Sequence, residues 1–198
     1  PSEFVVEATQ DSTDIEIIPS QITVSFRPPG VPFYKTLHKG EVFQLQSYYN
    51  LSGTTVTALN SSKKLAVFSG TKQAALKCSS ADDHLFDQNY MHMFGKEFVL
   101  VPMIYQGGDI FNILTLQDSN YISINNNPPF LLTNQGQFID TMFYTATYIS
   151  STKPISVTQY KKSHTCSQLG DPCMVIIPPV NYLKYRAIFK NDSAPPNA

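Results

Sequence analysis

The chain has 198 residues, with 14 Lys plus Arg against 15 Asp plus Glu, so its net charge is −1. Charged residues make up 15% and hydrophobic residues 42%, the reverse of the balance that keeps a chain disordered. No basic excess exists to draw nucleic-acid phosphates or anionic lipid, and no apolar run reaches the ~20 residues of a membrane-spanning helix. The expectation is no nucleic-acid partner and no membrane insertion. The 14 Pro, 11 Tyr and 13 Phe, with no Trp, favour short strands broken by turns over long helices.

In chain order, residues 4–8 alternate weakly and read as an edge strand. Residues 15–18 and 22–26 are β-branched runs parted by Pro19-Ser20, and Pro28-Pro29-Gly30 stops the second. Residues 41–48 alternate Val42, Phe43 and Leu45 with Gln44 and Gln46. Strands at 54–59 and 65–69 read as a hairpin around Asn60-Ser61-Ser62-Lys63. Residues 70–94 are polar and irregular, with room for a short helical turn. Runs at 97–104 and 110–116 flank Gln106-Gly107-Gly108-Asp109, a hairpin signature. Residues 121–124 precede the hard turn Asn125-Asn126-Asn127-Pro128-Pro129. Residues 137–149 and 155–160 read as the next pair, and 174–177 and 185–189 as the last strands. Strands of five to eight residues recurring with turn chemistry between them predict an all-β, sandwich-like fold.

An internal repeat supports two similar β units in tandem. TALNSSKKLAVFSGTK (57–72) matches TYISSTKPISVTQYKK (147–162) at a shift of 90 residues, with Thr57/Thr147, Ser61/Ser151, Lys63/Lys153, Val67/Val157 and Lys72/Lys162 identical. The predicted division is 1–30 as N-terminal strands and linker, 31–105 as the first unit, 106–190 as the second, and 191–198 as a polar tail. The second copy stops where the first has passed a further strand, which suggests a piece of a longer array.

Motifs for chemistry are sparse. The sequence holds no G-x-S-x-G elbow, no phosphate-binding Gly loop and no H-E-x-x-H pair. His38, His84, His92 and His164 are scattered, and nothing selects a triad from Ser69, His164 and an Asp. No cofactor is expected and the chain reads as non-catalytic. Asp82, Asp83 and Asp87 are weak Ca2+ candidates, against the plainer reading of a solvated loop. His92 between Met91 and Met93 reads as packing rather than as a copper ligand. Tyr48, Tyr49, Tyr105, Tyr121, Tyr144 and Tyr148 could supply a protein- or carbohydrate-binding face, or plain strand packing. Lys63-Lys64 and Lys161-Lys162 read as sheet-edge blockers. Three N-x-Ser/Thr sequons fall at Asn50, Asn60 and Asn191, the first two at the ends of one predicted strand.

An ordered set of phrases resembles a known family. It comprises Gly40-Glu41-Val42-Phe43-Gln44-Leu45-Gln46-Ser47, Asn50-Leu51-Ser52-Gly53-Thr54, Leu65-Ala66-Val67-Phe68-Ser69-Gly70, Asp83-His84-Leu85, Gly95-Lys96-Glu97-Phe98, Lys153-Pro154-Ile155-Ser156-Val157-Thr158-Gln159-Tyr160, and Gly170-Asp171-Pro172 running on to Ile177-Pro178-Pro179-Val180. Over residues 15–189 it is similar to the N-terminal domain of the IgG-Fc-binding protein of mucus. The resemblance implies a secreted, extracellular adhesion or matrix module that binds proteins or glycoconjugates, or further copies of itself, without catalysis. The alternative is a Ca2+-assisted carbohydrate-binding module. Where the family commonly has a second Cys before Asp-His-Leu, this chain has Ser79-Ser80-Ala81-Asp82. A secreted setting supplies the oxidant for a disulfide. Cys166 and Cys173 are the expected pair, joined across the flexible Gly170-Asp171-Pro172 turn. Cys78 is left free or bonded to another chain. The rival is a bridge from Cys78 to Cys166 or Cys173.

Overall fold

The computed structural model describes residues 2–72, 85–89, 93–103, 107–162 and 172–183. Among the described residues fourteen strands follow in order: β1 (Ser2–Ala8), β2 (Thr13–Ile18), β3 (Phe33–Leu37), β4 (Val42–Ser47), β5 (Thr55–Ala58), β6 (Leu65–Thr71), β7 (Leu85–Asn89), β8 (Gly95–Leu100), β9 (Asp109–Thr115), β10 (Asn120–Ile124), β11 (Phe130–Leu132), β12 (Phe138–Phe143), β13 (Thr147–Lys161) and β14 (Cys173–Ile176), before a 3-10 turn at Val180–Tyr182. The expected all-β class is what the chain adopts.

Two hydrophobic cores form. In the first, a sheet ordered β4-β1-β6-β7 meets a sheet ordered β3-β2-β5. Period-2 alternation puts Phe4, Val6 and Ala8 of β1 and Ile15 and Ile17 of β2 inside, with Phe33, Leu37 and Leu45. The second core is enclosed by a single seven-stranded sheet, because β13 serves both of its layers. Its first part pairs with β10 and β8, and its last part with β9 and β14. The break is an irregularity between Ser150 and Ile155, the kind of bend by which one strand turns a corner between layers. Phe98, Leu100, Phe111, Ile113, Ile122, Ile149, Ile155 and Val157 fill the space within.

The strand pairing of one unit matches that of the other. β1 lies between β4 and β6, as β9 lies between β12 and β13; β2 lies between β3 and β5, as β10 lies between β11 and β13. Local contacts match too. The turns after β1 and β9 read Gln10-Asp11-Ser12 and Gln117-Asp118-Ser119, and both serines take a positive φ, 51° and 54°. The Asp11 carboxylate accepts the Lys39 N–H, and that of Asp118 accepts the Gln135 N–H. The N–H of Gly40 donates to Ala8 O, and that of Gly136 to Thr115 O. The Lys63 ammonium donates to the Asp11 and Ser12 carbonyls, and that of Lys153 to the Asp118 carbonyl.

Several local expectations are corrected. Residues 57–72 form no hairpin: β5 pairs with β2 and β6 with β1, in different sheets. The Lys-bearing segment is therefore a corner between layers. The 90-residue match also holds for β6 but not for β5. Val67 faces Val6, as Val157 faces Ile113; Val56 faces Ile17, as Ile149 faces Ile124. The first corner thus carries three more residues than the second, and Thr57 and Thr147 are not in equivalent places. Nor do β8 and β9 form a hairpin around Gly107-Gly108, since both pair with β13. β12 pairs with β9 instead of with β13.

Residues 4–8 are a central strand, not an edge. Residues 22–26 form no strand: Ile22, Val24 and Phe26 are exposed, and Phe26 has φ 60°. β1 and β2 share the core of residues 33–67, and β8 contributes to the second core. Residues 185–189, expected as a strand, lie outside the described residues.

Candidate ligand-binding cleft

The two units meet at a pair of glycines. Gly53, in the loop from β4 to β5, and Gly136, in the loop from β11 to β12, both have positive φ, +89° and +77°. A Cβ on Gly53 would sit 2.8 Å from the Gly136 carbonyl oxygen. Only glycine permits both the conformation and this approach of one backbone to another.

Beside this contact lies a cavity of about 1430 Å³. One wall is the face of β9, β12 and β13 turned away from the second core, with Asn112, Asp140, Thr158 and Tyr160. The other is β5 with Leu65, Val67 and Ser69 of β6. Tyr48 and Tyr49 also line it and are 78% and 59% exposed, so they stand at its mouth.

The polar groups on the first wall are organised. Register sets Asn112 between Asp140 and Thr158, and the Asn112 amide donates to Asp140 Oδ1 at 2.8 Å. Burial pushes the Tyr160 phenol up to about 12, with the Asp140 carboxylate adding to the shift. Tyr160 is therefore a neutral hydroxyl at physiological pH. On the face of β1 turned away from Phe4 and Val6, the buried Glu3 carboxylate accepts from the amides of Gln44 and Gln46, at 2.8 and 2.6 Å. Aliphatic floor, hydroxyls, amides and aromatic rims suit a site that holds a ligand by shape and hydrogen bonding.

Two other polar clusters lie deep in the second unit. Asp109 is fully buried; its Oδ2 accepts from Met103 N–H and the Gln159 amide at 2.7 and 2.6 Å, while Oδ1 has no hydrogen-bond partner among the described residues. Asn120 is also fully buried. Its amide donates to Thr115 Oγ1 and Lys153 O, and its Oδ1 accepts from Lys153 N–H and Thr152 Oγ1. This clamp ties the β13 corner to the turn after β9.

Only some of the sequence-predicted residues come to the cleft. Tyr48 and Tyr49 line it, as does Asn50. Tyr121 and Tyr144 are exposed but do not line it, and Tyr105 lies outside the described residues. Tyr148 titrates high through desolvation and its hydrogen bond to Glu97. Asn50 and Asn60 are exposed. Each side-chain oxygen accepts the N–H two residues on, from Ser52 and Ser62 at 2.9 and 3.0 Å, in turns that leave the amide nitrogen toward solvent.

Cys173 is half-buried and forms no disulfide among the described residues. Cys78, Cys166, Asn191, Asp82, Asp83, His84, His92 and His164 lie outside the described residues, and Asp87 falls on β7. Among the described residues no group of three His, Cys, Asp or Glu is gathered to hold a metal. Lys63, expected as an edge blocker, is a turn clamp, and Lys153 makes the matching contact. The sequence reading missed Glu3, Asn112, Asp140 and Tyr160. The available signal was a polar residue at an outward position within an apolar strand, as in Ile110-Phe111-Asn112-Ile113.

The described residues thus give an all-β fold with a cleft beside the Gly53–Gly136 contact. The chain belongs to the IgGFc_binding family, described as IgGFc binding protein, whose profile matches residues 1–197. That membership points to an extracellular protein-binding module. Comparison with curated proteins and with solved structures gives no match.

Proposed function

We propose that this chain is a secreted adhesion or matrix module that holds an extracellular protein partner at the cleft between two copies of one β unit. The observation that carries the reading is the family match over essentially the whole chain. The exposed Tyr48–Tyr49 pair at the cleft mouth supports it, because aromatic residues with a polar tip are enriched where proteins bind. The matched turns, clamps and strand pairings support duplication. In this setting Asn50, Asn60 and Asn191 carry glycans and Cys166 bonds to Cys173.

The test is expression in secretory cells, followed by capture of the purified chain on immobilised immunoglobulin Fc and on immobilised mucin. The reading expects export, with binding to at least one surface. Retention in the cytosol with binding to neither surface overturns it.

A further inference from the structure

The loop between β2 and β3 holds an aromatic ring in water on a strained backbone. Phe26 is 84% exposed and has φ 60°, a left-handed conformation that is costly for a bulky side chain. The bonds around it fix that conformation. Thr23 is buried. Its N–H donates to Arg27 O at 3.1 Å, its carbonyl accepts the Phe26 N–H at 2.9 Å, and its hydroxyl accepts the Arg27 N–H at 2.9 Å. The Arg27 guanidinium lies 3.8 Å from the centre of the Phe33 ring, so the residue next to Phe26 is fastened to the first core. Backbone strain persists only where the surrounding structure imposes it, and it gathers at functional sites. The loop also adjoins the cleft mouth. The Val24 N–H donates to Gln46 O on β4 at 2.8 Å. The Ser47 hydroxyl donates to Ile22 O at 2.7 Å and accepts the Tyr49 N–H at 3.0 Å, so one side chain ties the loop to the tyrosine pair. The exposed Ile22, Val24 and Phe26 thereby continue the exposed Tyr48–Tyr49 pair. Residues 19–32 and 47–54 contain one charged side chain, Arg27, and it is engaged on Phe33.

We propose that Phe26 is the outer anchor of the protein-binding surface, seating its ring in an apolar pocket of the partner, with Ile22 and Val24 joining it to the Tyr48–Tyr49 pair. The partner is a protein whose contact patch is apolar and uncharged. An anionic lipid surface, a nucleic acid or an acidic peptide would call for free cations, and the one cation of this strip is already stacked on Phe33. Aromatic side chains seated in desolvated pockets carry much of the energy of protein interfaces. A ring already fixed in its bound position loses little freedom on docking, which favours affinity. The inference deepens the proposed function and rests on its reading of the chain as protein-binding.

The test is Phe26→Asn in the full chain. Asn removes the ring and tolerates the left-handed backbone better than Phe does, so the thermal midpoint is expected at or above that of wild type. On whichever of immobilised immunoglobulin Fc and immobilised mucin the wild-type chain binds, Kd is expected to weaken at least about fivefold in the variant. The wild-type Kd is expected to change less than about threefold between ~0.05 and ~0.5 M salt, because no free charge of the strip is there to be screened. A smaller loss in Phe26→Asn, a larger salt dependence, or a lowered midpoint that marks Phe26 as structural overturns the proposal and leaves the protein-binding reading standing. Uptake by phosphatidylcholine vesicles, or self-association in solution, that Phe26→Asn abolishes would assign the loop to another occupant and overturns it as well. No binding of the wild-type chain to either surface overturns both the proposal and the reading.

Discussion

Asn120→Ala removes the clamp that holds the β13 corner. The wild-type amide makes four hydrogen bonds, to Thr115 Oγ1, Lys153 O, Lys153 N–H and Thr152 Oγ1, at 3.0, 2.9, 2.8 and 3.1 Å. The two hydroxyls can rotate toward other partners, but the Lys153 N–H and carbonyl cannot. Each buried polar group left unsatisfied costs about 1–3 kcal/mol. Lys153 is only half-buried, so water recovers part of that, and a loss of about 3 kcal/mol is expected. This is a large share of the ~5–15 kcal/mol that stabilises a typical domain. The counterpart in the first unit, Thr13, makes a single bond to Gln10 O within its own turn, so Thr13→Ala should cost only about 1 kcal/mol. Urea unfolding combined with hydrogen exchange resolves the two units. Asn120→Ala should accelerate exchange in β9 and β13 and leave β1 and β2 alone. A loss below about 1 kcal/mol, or one equal to that of Thr13→Ala, refutes the clamp.

Three further outcomes are expected. Gly53→Ala puts a Cβ 2.8 Å from the Gly136 carbonyl oxygen at φ +89°; it should lower the thermal midpoint by an amount corresponding to about 1–3 kcal/mol, whereas Gly30→Ala, with nothing within 4 Å, carries only its backbone strain. The Tyr160 phenol sits at about 12 in the folded chain against 10.0 in the unfolded one. Its stabilising share is therefore complete below pH ~10 and is lost as pH rises toward 12, about 2–3 kcal/mol in all; Tyr160→Phe should flatten that alkaline limb and remove a late phenolate transition from the ultraviolet titration. Peptide mapping of secreted protein should find glycans at Asn50 and Asn60 and a Cys166–Cys173 link, and unmodified asparagines or a link through Cys78 would contradict the expectation.

The class of fold was legible because strand runs and turn residues alternate throughout, and because Val67 and Val157 keep their register inside the matched β6 and β13 segments. What escaped was long-range. Residues 4–8 look like an edge strand because Glu3 and Glu7 flank the apolar positions, yet neighbours on both sides shelter Glu3. A Lys-rich turn between two strands has the same composition whether it closes a hairpin or turns a corner between sheets, and only pairing with β1 and β2 separates the two. The Gln-Asp-Ser turns at 10–12 and 117–119 went unseen because their shift is 107 residues rather than 90. Loops between the matched elements differ in length, which a single offset cannot follow. The cleft was illegible for a related reason: Asn112, Asp140 and Tyr160 come from three strands and meet only when the sheet forms.

The account rests most heavily on the cleft mouth as the place where a partner binds. Interferometry with the full chain over immobilised immunoglobulin Fc and immobilised mucin, beside a Tyr48→Ala/Tyr49→Ala variant with wild-type circular dichroism, measures this directly. Loss of two exposed aromatic anchors should weaken Kd on the bound surface by roughly 10- to 100-fold, about 1.4–2.8 kcal/mol. An unchanged Kd in the double variant would contradict the cleft as the binding site, and no binding of the wild-type chain to either surface would contradict the account as a whole.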